Sequence, residues 1–397
     1  MSQPTPTAPT DEIGRLAALS EESEIARLRR QRPKVMIHTQ AAFEALFVPE
    51  LDDTPLDERL LVALHAAALA PSNVLAAAYR TRLEGRIETW LLEAVAQDQR
   101  DRVEEPRLRA LLDFSHRLSV DPGAARREHL SALIAAGLST AAVVAIAQLI
   151  AFVAYQARMV AGLDALRHSA DKPDFERKAK LPARHPAARP AASAFTFATL
   201  GWRAWLEPLE PSAANETQLA ILDESHPQAR SSDYYLLLAL QPEILRQRSL
   251  TYNAIMYGSG GAARAERELA AAAVSRDNGC VYCASVHAQR FEQRAKRRDV
   301  IEQLFEDPEH AGTSERERAI IHFALALTRR PDQFGAEQFA PLIKQGVSFD
   351  ALLDLIQATA IFAWANRLML TLGEPAALNV QASSDVDQLI VRRPPRT

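Results

Sequence analysis

The sequence is poor in cysteine, with two in 397 residues, poor in glycine, with 14, and holds only 6% aromatics. Two cysteines cannot form a disulfide framework, so the fold must rest on its apolar core. Scarce glycine, beside abundant Ala, Leu, Glu and Arg, argues against a turn-rich β protein and for helices. No charge of one sign prevails. Lys and Arg number 46 against 50 Asp and Glu, and the net charge is −4. That provides no general attraction to nucleic acid or to a membrane surface. The first residues, MSQPTPTAPTDE, lack a basic n-region and an apolar h-region, so no secretory signal is expected and a cytoplasmic location is. The most apolar run, Ala141–Ala157, contains Gln148 and Gln156 and is shorter than the ~20 residues of a spanning helix. It reads as a buried helix.

What is present divides the chain. Residues 1–32 are polar and read as a flexible tail. Residues 171–194 hold four prolines and many basic residues and read as a linker. The flanking parts, 33–170 and 195–397, repeat each other. Arg109–Leu163 overlays Arg318–Leu372 without a gap, with 16 of 55 positions identical. The matches include Pro122 with Pro331, Gly137 with Gly346, Gln148 with Gln357 and Arg158 with Arg367. Shared Pro, Gly, Gln and Arg at one offset are hard to obtain from composition alone, so a duplication is inferred. Gly346 suits a helix C-cap and Ser348 the next N-cap. The fold expected is all-α, with two tandem helical-bundle repeats.

Both cysteines lie in one stretch, ELAAAAVSRDNGCVYCASVHAQRF. Gly279 can end one helix in the left-handed conformation, and a second helix can begin at Cys280. Cys280, Cys283 and His287 then share one helix face. A helix N-terminus favours a thiolate, and an imidazole one turn away can take the thiol proton, directly or through water. Cysteines at i and i+3 can close a disulfide, so attack, resolution and bridge formation can follow in one cycle. If the chain folds back at Asn278–Gly279, Glu268 approaches the face that carries His287 and can orient it. The same spacing would also suit a buried apolar stripe. Zinc would need further ligands, and no second CxxC or HxxxH is present. A c-type haem needs CxxCH, and Ala284 follows Cys283. No cofactor and no metal are therefore expected.

Glu268, the asparagine–glycine pair before Cys280, and Cys280–x–x–Cys283–x–x–x–His287 resemble the alkylhydroperoxidase D / carboxymuconolactone decarboxylase family, in its peroxidase-related branch. The resemblance covers residues from about Phe195 onward. It implies a helical fold, trimeric or hexameric assembly, and reduction of hydroperoxides by the cysteine pair, with Glu268 and His287 as proton relay. An external dithiol or disulfide-reducing protein would restore the thiols. Tyr282 stands where some members carry a second histidine. The first half resembles the family weakly: Glu58 aligns with Glu268, while Ala70, Asn73 and Ala77 fall at the two cysteines and the histidine. Such a half is structural and completes the assembly. Six repeats would need three chains, so a homotrimer is expected. The alternatives are a cofactor-free decarboxylase or isomerase of the carboxymuconolactone type, and a non-enzymatic redox-sensing scaffold.

Overall fold

A computed structural model describes residues 11–171, 179–184 and 190–377. The described chain is almost wholly helical, with one two-stranded antiparallel sheet that pairs Leu200–Ala204 with Gly373–Ala377. Two long helices, Thr140–Asp171 and Phe349–Thr371, pack along each other at the centre. Each is apolar on nearly every face and so needs cover all round. The partner helix and the surrounding bundle supply it. Phe152, Tyr155 and Trp364 cluster between them, with Phe152 and Trp364 edge-on at 5.0 Å, and the Trp364 indole N–H donates to Gln148 at 2.8 Å. Gly162 permits the close approach, since a Cβ there would stand 2.5 Å from Ile356.

The first long helix runs well beyond the apolar run that marks it in the sequence. It is long enough to cross a bilayer, and 89% of its apolar window is buried inside the protein. Because both long helices are covered within one chain, their apolar faces do not by themselves call for neighbouring copies.

The repeats match element by element. Pro106–Val120 corresponds to Glu315–Arg329, Pro122–Ala124 to Pro331–Gln333, and Thr140 to Phe349 as first residue of the long helix. Gly137 and Gly346 both take positive φ, at 90° and 73°, a backbone geometry that favours glycine. Two arginines cross between the halves in the same way. Arg158 donates to the carbonyl of Thr328 at 2.6 Å, and its counterpart Arg367 donates to that of Ser119 at 3.1 Å. Each of these carbonyls lies in the last turn of a helix, where no partner within the helix remains. Upstream, the helices Pro33–Leu46 and Pro242–Tyr257 also pack together across the halves.

Residues 11–32 are not a loose tail. Glu24–Arg30 is helical, Ile13, Leu16 and Ile25 are buried, and Arg29 pairs with Asp11 at 2.8 Å. Arg32 reaches buried Asp354 in the second long helix at 2.9 Å. The expectation of disorder weighed polar composition and missed that these few apolar residues find a surface. Residues 1–10 and 378–397 lie outside the described residues, as does much of 171–194. Of that linker, 179–184 lies against the second half: Arg329 and Gln338 donate to the carbonyls of Pro182 and Lys180.

Candidate active site

The helix Arg264–Asn278 ends at Gly279, whose φ of 79° is the left-handed cap expected. The amide of Cys280 returns to the carbonyl of Ser275 at 2.8 Å, closing the turn. Cys280 is then the N-cap, and the next helix runs Val281–Ala295, one residue later than the sequence suggests. The turn is anchored on both sides. Asn278 donates to Asn366 at 3.0 Å, and Asn366 to Ser275 at 3.2 Å, tying it to the central helix. Asp277, nearly fully buried, accepts from Arg329 at 2.8 Å and from Arg184 at 3.0 Å.

The fold-back brings Glu268 against His287. The imidazole Nδ1 donates to Glu268 Oε2 at 2.5 Å, and both side chains are buried. That bond leaves Nε2 as the basic nitrogen. The second carboxylate oxygen of Glu268 accepts from Arg264 Nε at 2.5 Å. The Arg264 guanidinium in turn stacks over Tyr257 at 4.1 Å. Phe362 meets the His287 ring edge-on at 4.4 Å and limits how it can turn. Burial would raise the Glu268 carboxyl, but the charge and hydrogen bond of His287, aided by Arg264 and Arg290, bring it below its ordinary value. Burial likewise lowers the His287 imidazole, opposed by Glu268. The pair at neutral pH is therefore a carboxylate holding a neutral imidazole, which is the form a general base needs.

Cys280 and Cys283 are both free and buried, at 2% and 5% exposure. Burial, with the neighbouring Cys283 thiol, pushes Cys280 well above the ordinary thiol range. Cys283 lies one turn before His287. Among the described residues neither thiol is hydrogen-bonded to the imidazole, so proton transfer needs a water or the substrate between them. Tyr282 is half-buried, and burial pushes its hydroxyl up to about 12, so it stays a hydrogen-bond donor. Among the described residues no group of three or more His, Cys, Asp or Glu could hold a metal ion.

Glu268, Cys280, Cys283 and His287 thus stand together, as their spacing suggested. Four further residues complete the surroundings: Arg264, Arg290, Tyr252 and Phe362. Arg264 is four residues before Glu268 and Arg290 seven after Cys283, so helix spacing could have found both. Tyr252 and Phe362 come from distant elements and left no local signal.

The first half differs from its sequence alignment. Arg59 donates to the carbonyls of Leu46 and Val48, as Arg267 does to those of Ile255 and Gly258. Those bonds, and the helix starts at Asn73 and Val281, place Leu60, Ser72, Leu75 and Tyr79 opposite Glu268, Cys280, Cys283 and His287. Glu58, Ala70, Asn73 and Ala77 are each two residues out of that register. Glu58 lies half-buried against Arg107, with burial raising its carboxyl. Leu60, Leu75 and Tyr79 are core residues, and the Tyr79 hydroxyl donates to Gln156 at 2.5 Å.

Residues 242–329 match the model of the Carboxymuconolactone decarboxylase family, so the segment that carries this site is of that family. A crystal structure from Ralstonia eutropha JMP134, described as an alkylhydroperoxidase AhpD core of an uncharacterized peroxidase-related protein, is 26% identical. The match covers 41% of this chain and 86% of that one, with a TM-score of 0.36. No curated protein matches the sequence.

Proposed function

We propose that the protein is a thiol-dependent peroxidase that reduces hydroperoxides through Cys283 and Cys280. The buried 2.5 Å bond between Glu268 and His287, one helical turn from Cys283, carries the reading. A buried carboxylate–imidazole pair of this kind costs desolvation, and a proton acceptor beside two thiols gives it a use. His287 Nε2 takes the Cys283 proton through water. The thiolate sulfur attacks one peroxide oxygen, the O–O bond breaks, and the other oxygen leaves as alcohol after taking a proton. Cys283 is then a sulfenic acid. Cys280, held protonated by burial, condenses with it; the S–S bond forms and water departs. An external dithiol reduces the disulfide by exchange, becoming a disulfide itself.

A second reading rests on the name of the matching family: a cofactor-free decarboxylase in which Glu268 and His287 move the proton and the thiols are core. The two part at Cys283→Ser. Dithiol-coupled consumption of hydrogen peroxide and an alkyl hydroperoxide, measured for the parent and this variant, decides between them. Turnover that the serine abolishes supports the peroxidase. No turnover of any hydroperoxide refutes it.

A further inference from the structure

Arg290 follows Cys283 and His287 on the same helix face, one further turn along. Among the described residues its one hydrogen bond is to the Tyr252 hydroxyl at 3.2 Å. Among the described residues no carboxylate forms an ion pair with it, since Glu268, the acidic group of the site, is already held by Arg264 and His287. A guanidinium has five N–H donors in a planar fork, and only one is used here. The side chain is partly buried, so water does not fully compensate the rest.

The surroundings are aromatic. Tyr235 and Tyr282 are half-buried, and Tyr257 is exposed at 52%. His226 stacks on Tyr235 at 5.4 Å with the rings within 11° of parallel. Arg290 is near enough to act electrostatically on Tyr235, Tyr282 and His226 as well as on Glu268 and His287. One forked cation among aromatic planes, in line with a nucleophile and its base, matches an organic anion: a carboxylate for the fork and an apolar body for the rings.

We propose that Arg290 is a substrate-recognition residue that selects hydroperoxides bearing a carboxylate. The inference rests on the peroxidase reading for the reacting group, but the carboxylate preference can be tested apart from it. The full-length protein, Arg290→Gln and Arg290→Lys are titrated with 4-isopropylbenzoate, which has no peroxide group, by calorimetry at low and moderate salt. Circular dichroism and melting establish that each variant is folded. The glutamine variant is expected to bind at least about 10-fold more weakly, as for loss of a charge-assisted hydrogen bond. Lysine restores part of the affinity, and salt weakens binding to the parent. In the second arm, the parent should turn over 4-carboxycumyl hydroperoxide with a higher kcat/KM than cumyl hydroperoxide, and the ratio should fall toward one in Arg290→Gln. Equal binding by the parent and the glutamine variant, or a ratio of one in the parent, overturns the assignment. Turnover of neither hydroperoxide refutes the peroxidase reading, and the binding arm alone then judges the role of Arg290.

Discussion

Replacing Glu268 with glutamine keeps the size of the side chain and removes its charge. The 2.5 Å bond from His287 Nδ1 would then end on a neutral amide oxygen. A hydrogen bond to a charged group contributes about 1.5–3 kcal/mol and a neutral one about 1 kcal/mol. The imidazolium that forms when His287 takes a proton therefore loses about 0.5–2 kcal/mol of support, on the order of one pKa unit of basicity. The expected consequence is thiol oxidation by hydrogen peroxide slowed roughly 2- to 30-fold at pH 7. The assay quenches the reaction at intervals and titrates remaining thiol with a chromogenic disulfide from pH 6 to pH 11. The deficit should close at high pH, where the thiol ionises unaided. Arg264 also loses its partner in this variant, so melting is recorded alongside. A deficit that is constant with pH, or none at any pH, would refute the proton-relay argument.

Mild peroxide should form a bridge between Cys280 and Cys283, seen by mass spectrometry as loss of two hydrogens without a covalent dimer; sulfinate at one cysteine and no bridge would count against the two-thiol cycle. Burial lowers the His65 imidazole to about 4, against the opposing pull of Asp98. The unfolded chain binds that proton near pH 6.5 and the folded chain only near 4. Its contribution is thus complete above about 6.5 and is lost as pH falls to about 4, by up to about 3 kcal/mol. Denaturant unfolding of His65→Gln across that range should show a shallower pH slope, and an unchanged slope would show that other groups carry it. The family resemblance suggests a homotrimer, which light scattering would register as three times the chain mass of 43.8 kDa, whereas a monomer would exclude it.

The sequence made the punctuation of the helices readable because those positions demand particular residues. Gly279 and Gly346 sit at positive φ, and Ser348 stands at the N-cap. The face shared by Cys280, Cys283 and His287 follows from helix periodicity alone. The approach of Glu268 needed the fold-back, which one glycine marks. The register of the silent half was misread because Glu58 offered a chemical match, while the feature that aligns the halves is a bond from arginine to backbone carbonyls. Residues 11–32 were misread because burial of Ile13 and Ile25 depends on surfaces far along the chain. Tyr252 and Phe362 reach the site from helices whose local sequence carries no sign of it.

The crossed arginines give the molecule a history that can be read in its chemistry. Arg158 and Arg367 each finish a helix that belongs to the other half. Neither half could reproduce alone what its twin provides, so a gene encoding one of them would yield an unfinished product. The cysteine pair has no such reciprocity: Ser72, Leu75 and Tyr79 stand at the corresponding positions of the first half, and the crossing is intact there. The first half can therefore be required for the fold without carrying the cysteine pair. A lineage that drifts further should change the residues around Leu56–Leu83 long before it changes Arg158, Ser119 or the helix end that carries that carbonyl.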